Sequence, residues 1–173
     1  MGLNFAEKLH NVTAMEFREV YVGRINAELN KYLARFDLTA DLAPDFFYDE
    51  REEGIGYALA TPAEDEKSFR EFVESLNPKF YYHDFIVSFF HEIGHHETLH
   101  TIDEVTRNEY DCMRWSMSTM EYFTHPVELE ATLWAIEYIE THIDEVNELW
   151  LAVQPLIMDL FDALNESEVA LWA

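Results

Sequence analysis

The chain has a single cysteine, Cys112, among 173 residues. That excludes an intramolecular disulfide and a cysteine-built zinc site, and a reducing, cytoplasmic setting is expected. Glycine and proline are few, five of each, and they nowhere gather into a low-complexity linker; no internal repeat is visible. Cations are sparse beside anions, with 11 Lys and Arg against 35 Asp and Glu and a formal charge of −24. Nucleic-acid affinity rests on cationic neutralisation of phosphates, so direct binding to DNA or RNA is not expected. A basic protein surface is the better-matched partner. No apolar run approaches the ~18 residues of a membrane span, and residues 1–8 lack an apolar signal core, so no membrane association is expected. Gly2 has Ala6 where a myristoylation signal requires Ser or Thr.

What is abundant is apolar. Hydrophobic residues make up 49% of the chain and aromatics 15%, enough for a core in one domain over residues 1–173 and too little chain for two. The densest apolar stretch ends in chemistry: Phe85-Ile86-Val87-Ser88-Phe89-Phe90 runs directly into His91-Glu92-Ile93-Gly94-His95. At about 3.6 residues per turn, positions 91 and 95 lie one above the other on a helix, so two imidazoles can reach one metal ion with the Glu92 carboxylate beside it. Neutral imidazoles hold Zn²⁺ at about 2.0–2.1 Å, and an open position leaves a water whose pKa falls toward about 7. Glu92 is then the general base. Burying such groups unpaired costs several kcal/mol, so the cluster requires a metal or a hydrogen-bonded partner. Asp84 is a suitable N-cap for this helix, and Gly94 in its interior implies close approach by another backbone.

Around that helix the periodicity predicts mostly helical structure. Phe17, Val20, Tyr21, Ile25, Leu29, Leu33 and Phe36 recur at helical spacing over residues 14–36, a long amphipathic helix packing on the core, and residues 3–12 suggest a separate short helix. Residues 45–49 and 55–60 read as two short strands around the charged turn 50–54, a hairpin able to cover the core or to receive a substrate backbone by strand addition. Further helices are expected over 62–76, from Asp103 to about Met120 with its methionines as core filler, from Pro126 to about Asp144, and from Glu145 to about Leu164 with a bend near Pro155.

Two histidines do not complete a zinc site. His96 and His100 point away from the 91/95 face, and the place where an extended three-histidine motif puts its last ligand is Thr101. Glu128 and Glu130, on the helix after Pro126, remain. The order H-E-x-x-H followed by Glu128-Leu129-Glu130-Ala131-Thr132 resembles the gluzincin clan of zinc metallopeptidases, especially its compact ImmA/IrrE-like members. In that clan the third ligand opens a pattern E-x-x-A-[D/N] whose last residue supports a ligand histidine. The match here is at Glu128 and Ala131, with Thr132 in the Asp/Asn place; threonine still hydrogen-bonds but lacks a carboxylate's effect on histidine basicity.

The resemblance implies an α+β, mostly α, zincin-like domain with a small β-hairpin or sheet. It implies one Zn²⁺ on His91, His95 and Glu128, with Glu92 as general base in hydrolysis of a peptide bond in a protein or peptide substrate. Its members cleave repressors, which makes a DNA-binding protein a target by resemblance, and the acidic surface favours a basic substrate. No oxyanion-stabilising residue stands out among His83, Tyr81, Tyr82, His125, Tyr138 and His142, and no oligomeric state is readable. A different class of function is also consistent with the charge: an acidic binding protein that mimics nucleic acid or inhibits a basic DNA-binding protein, with the histidine pair structural or inactive.

Overall fold

The computed structural model describes residues 18–59 and 63–171. The fold is α+β and mostly α. A π-helical turn at Arg18–Val22 leads into α1 (Gly23–Leu33), followed by a 3₁₀ turn at Ala34–Phe36. Ile25, Leu29 and Leu33 place one face of α1 wholly in the core, as their i, i+4, i+8 spacing requires. Of the expected helix over 14–36, the part before residue 18 and the separate helix at 3–12 lie outside the described residues.

Three short strands follow: β1 (Thr39–Leu42), β2 (Phe47–Asp49) and β3 (Gly54–Tyr57), in the order β1-β3-β2. β2 pairs antiparallel with β3 around the expected turn, with Tyr48 opposite Ile55. β1 adds a parallel strand on the other side of β3, with Ala40 opposite Ile55. No strand is expected from the sequence over residues 39–42. The strand there is tied to α1 by Asn30, whose Oδ1 accepts from the Ala40 amide at 2.6 Å, a tertiary bond with no local signature.

The remainder is helical: α2 (Ala63–Leu76), α3 (Asp84–Thr98), α4 (Glu104–Met113), α5 (Thr119–Thr124), α6 (Pro126–Thr141) and α7 (Ile143–Leu171). Ile86, Phe89, Phe90 and Ile93 of α3 join Ile55 and Tyr57 of β3, Ala135 and Ile139 of α6, and Val146, Val153 and Leu160 of α7 in one buried cluster. Burial of a large aliphatic or aromatic side chain contributes about 1.5–3 kcal/mol, so α3 is fixed at the centre of the fold by its own apolar residues before any site chemistry acts. Among the described residues no helix is long and apolar enough to cross a membrane.

Several boundaries differ from the sequence expectations. His83 occupies the N-cap of α3, and Asp84 is its first helical residue; the Asp84 carboxylate accepts two hydrogen bonds from Arg70 of α2 instead of capping. The helix opened by Asp103 stops at Met113, because Ser118 and Glu121 form a reciprocal capping box that starts α5. Its methionines are not core filler, since Met113 is 45% and Met120 63% exposed. α6 begins at Pro126 as expected, with His125 as its cap, but ends at Thr141.

Candidate metal centre

The centre is built where α3 and α6 cross, the most extensive helix–helix contact in the fold. Phe90 meets Tyr138, His91 meets Thr132 and His95 meets Glu128, so the two helices run antiparallel. Gly94 makes the crossing possible. A Cβ at that position would sit 2.9 Å from Ala131 Cα and 3.0 Å from its carbonyl carbon, and closer still to its carbonyl oxygen. The close backbone approach expected from a mid-helix glycine is therefore the contact that draws the two ligand-bearing helices together.

His91 Nε2 lies 3.0 Å from Glu128 Oε2, and His95 Nε2 lies 3.6 Å from the same oxygen. The two imidazoles are 4.6 Å apart between centroids and nearly perpendicular. Ligand bonds of about 2.0–2.2 Å in a tetrahedral set separate the donor atoms by about 3.3–3.6 Å; the His95 separation lies at the upper end of that range and the His91 separation, at hydrogen-bond length, just below it. Glu92 completes the cluster: it, His91 and His95 each offer a ligand atom within 4.8 Å of the others. The group is buried, with the Glu128 side chain 1%, His91 8% and His95 13% exposed. His91, Glu92 and His95 could together hold a metal ion. Glu130, the other acidic candidate on α6, is exposed and takes no part.

The surrounding hydrogen bonds select the tautomer a metal needs. Thr132 donates its hydroxyl proton to the Glu128 carbonyl at 2.8 Å, as an i−4 bond within α6. Its oxygen also lies 3.1 Å from His91 Nδ1. A hydroxyl has one proton, so toward His91 it accepts, Nδ1 carries the hydrogen, and Nε2 is left with its lone pair facing Glu128. A lone pair facing a carboxylate oxygen calls for a positive charge between them, a proton or a metal ion. The Thr132 hydroxyl thus orients the His91 ring without adding a charge.

Glu128 is held from its other side by Tyr110 of α4, whose hydroxyl donates to Oε1. The Tyr122 hydroxyl of α5 stands 3.3 Å from that of Tyr110. Burial, together with the charge and hydrogen bond of Glu128, raises the Tyr110 hydroxyl far above its ordinary value and keeps it a donor. Burial alone would push the Glu128 carboxyl up, but when a proton, not a metal ion, lies between them, hydrogen bonds from His91 and His95 outweigh it and hold the group well below the usual carboxylate range. Burial would lower His95, yet the hydrogen bond and charge of Glu128 leave it raised. Glu92 moves the other way: burial raises its carboxyl, more than His95 and His91 pull it down. Two neighbouring carboxyls are thereby driven apart in acidity, one a fixed anion and one adjusted toward proton exchange.

The other histidines and tyrosines weighed in the sequence fall elsewhere. His96 turns from the centre and pairs with the Tyr48 hydroxyl at 3.0 Å. His83 stacks on Trp150, Tyr81 is 90% exposed, and Tyr82 donates to Asn147. His142 stacks on Tyr138 at the far end of α6. The reach of Tyr110 to α6 is a tertiary contact that spacing along the chain does not reveal. No known protein family, curated protein or solved structure matches the chain.

Proposed function

We propose that the chain is a zinc-dependent metallopeptidase that uses His91, His95 and Glu128 as ligands and Glu92 as general base. The observation that carries this reading is that two Nε2 atoms stand 3.0 and 3.6 Å from one carboxylate oxygen, beside a second buried carboxyl. Two imidazoles and one carboxylate are a donor set suited to Zn²⁺ in catalytic sites, with a further position left for water or substrate. A bound Zn²⁺ supplies Lewis acidity toward a carbonyl oxygen and makes water a stronger acid.

The chain's residues supply the rest. Thr132 fixes the His91 ring so that its Nε2 lone pair faces inward, and Tyr110 fixes Glu128 so that a single oxygen faces the histidines. Glu92, its carboxyl raised by burial, accepts a proton from the attacking water and returns it to the leaving amine. The net charge of −24 favours a basic protein substrate. The gluzincin resemblance of the motif pair points the same way. So does the single cysteine, which is consistent with a cytoplasmic setting.

The test is hydrolysis of a fluorogenic peptide mixture by the zinc-loaded chain and by Glu92→Gln. The variant is expected to keep its zinc and lose at least about a hundredfold in kcat/KM, the lower end for loss of a general base. An acidic binding protein without hydrolytic activity would cleave nothing in either form. Its partner binding would instead be indifferent to Glu92→Gln and weakened by salt.

A further inference from the structure

α3 runs from the candidate metal centre in its second half to a cavity at its N-terminal end. On one side stands α2, with Phe69 edge-on to His91 at 5.2 Å. On the other stands β2, where Phe46, just before the strand, packs on Phe85 at 5.7 Å and Tyr48 packs on His96 at 5.6 Å. Toward the N-terminus of α3, Ser88 and Phe85 line a cavity of about 120 Å³. At 1.5 Å per residue, Ser88 and Phe85 lie about 6 and 10 Å along the axis from Glu92.

The cavity has two kinds of wall. Phe46, Leu59, Phe85, Trp150 and Ile157 line it with aromatic and aliphatic carbon, while Glu66 of α2 and Asp84 of α3 bring carboxylates to the same space. Arg70 is committed to Asp84 through Nε at 3.0 Å and a second guanidinium bond. Glu66 is left facing a like charge: burial and then the proximity of Asp84 raise its carboxyl, with Arg70 only partly offsetting them. A cation arriving there would relieve that repulsion. Comparable volumes of about 150 Å³ in protein interiors hold a benzene ring, so an aliphatic stem of three or four carbons fits. Apolar walls for a stem and a carboxylate for its tip match the amphipathic side chains that bury methylenes and keep a charged head solvated.

We propose that this cavity receives the side chain of a lysine or arginine in the substrate polypeptide, about two or three residues from the bond addressed by the metal centre, given an extended rise of about 3.3 Å per residue. The proposal rests on the peptidase reading and gives it a substrate class, a chain with a basic residue at a fixed distance from the cleaved bond.

The test titrates zinc-loaded Glu92→Gln, which leaves its ligand intact, with acetyl-Ala-Ala-Lys-Ala-Ala-amide and with its norleucine counterpart, following the Trp150 indole N–H by NMR. The lysine peptide is expected to bind about fivefold more tightly, the effect of one partly solvated ion pair, and to shift the Trp150 signal. Adding Glu66→Gln should remove the preference, and Glu66→Lys should reverse it in favour of norleucine. Equal affinities, binding of neither peptide, or shifts that leave Trp150 untouched would overturn the proposal. A lysine preference centred on Trp150 in a chain that hydrolyses no peptide would support the cavity and sink the peptidase reading alone. Hydrolysis of both peptides with equal kcat/KM would sink the cavity alone.

Discussion

Replacing Gly94 with alanine adds one methyl group at the closest point between the two helices that carry the ligands. The new Cβ would lie 2.9 Å from Ala131 Cα, where carbon atoms prefer about 3.5–4.0 Å, so α3 and α6 must part by about 0.5–1 Å. Alanine gains about 1 kcal/mol of helix propensity over glycine. Forcing an extra carbon into a packed interface costs about 1–3 kcal/mol, and the buried neighbours Ile93 and Ala131 leave little room for relief. The net destabilisation is expected to be about 0–2 kcal/mol, or up to about 8 °C in Tm for a chain of this size. The larger effect falls on the metal. His91 and His95 ride on α3 and Glu128 on α6, so parting the helices lengthens the 3.0 and 3.6 Å separations together, beyond the ±0.2 Å that ligand bonds tolerate. Zinc affinity, measured by competition with a chromophoric chelator, should fall at least about tenfold, as it does when a ligand is misoriented. A Gly94→Ala protein that is more stable than the parent and binds zinc equally well would refute the argument that this crossing sets the ligand geometry.

Two further outcomes follow from the hydrogen bonds and acidities at the centre. Tyr110→Phe removes the donor to Glu128 Oε1 and should weaken zinc binding about tenfold while leaving the helix content by circular dichroism unchanged. His95 is raised above its ordinary imidazole value of about 6.5. Its contribution to folding without metal is therefore present below about pH 6.5 and lost as pH rises through the raised value. Because a ligand imidazole must be neutral, zinc binding near pH 7 should release a proton. Calorimetry in buffers of different ionisation enthalpy should show that release shrinking as pH rises through the same window.

The metal helix was legible in the sequence because one run of residues carries both of its determinants. An apolar series fixes its burial, and the 91/95 spacing fixes which face the histidines share. Gly94 was legible for a related reason, since a glycine inside a helix implies a close neighbour. Glu128 could be named only by resemblance, because the crossing that brings α6 onto α3 is tertiary. The antiparallel pairing of β2 and β3 followed from the charged turn between two short apolar runs, while β1 depended on Asn30 reaching the Ala40 amide. The end of α4 was misread although its signal was present: Ser118-Thr119-Met120-Glu121 is a capping box, and apolar spacing alone carried the expected helix through it. Tyr110 and the cavity beside Glu66 and Trp150 are assembled from separate elements and have no pattern along the chain.

The central claim is that His91, His95 and Glu128 grip one divalent ion together. Elemental analysis of the purified chain, beside His91→Ala and Glu128→Ala folded to the same helix content, tests it most directly. One zinc per chain in the parent and none in either variant is the expected result. A parent without metal, or a Glu128→Ala chain that retains its full complement, would contradict it.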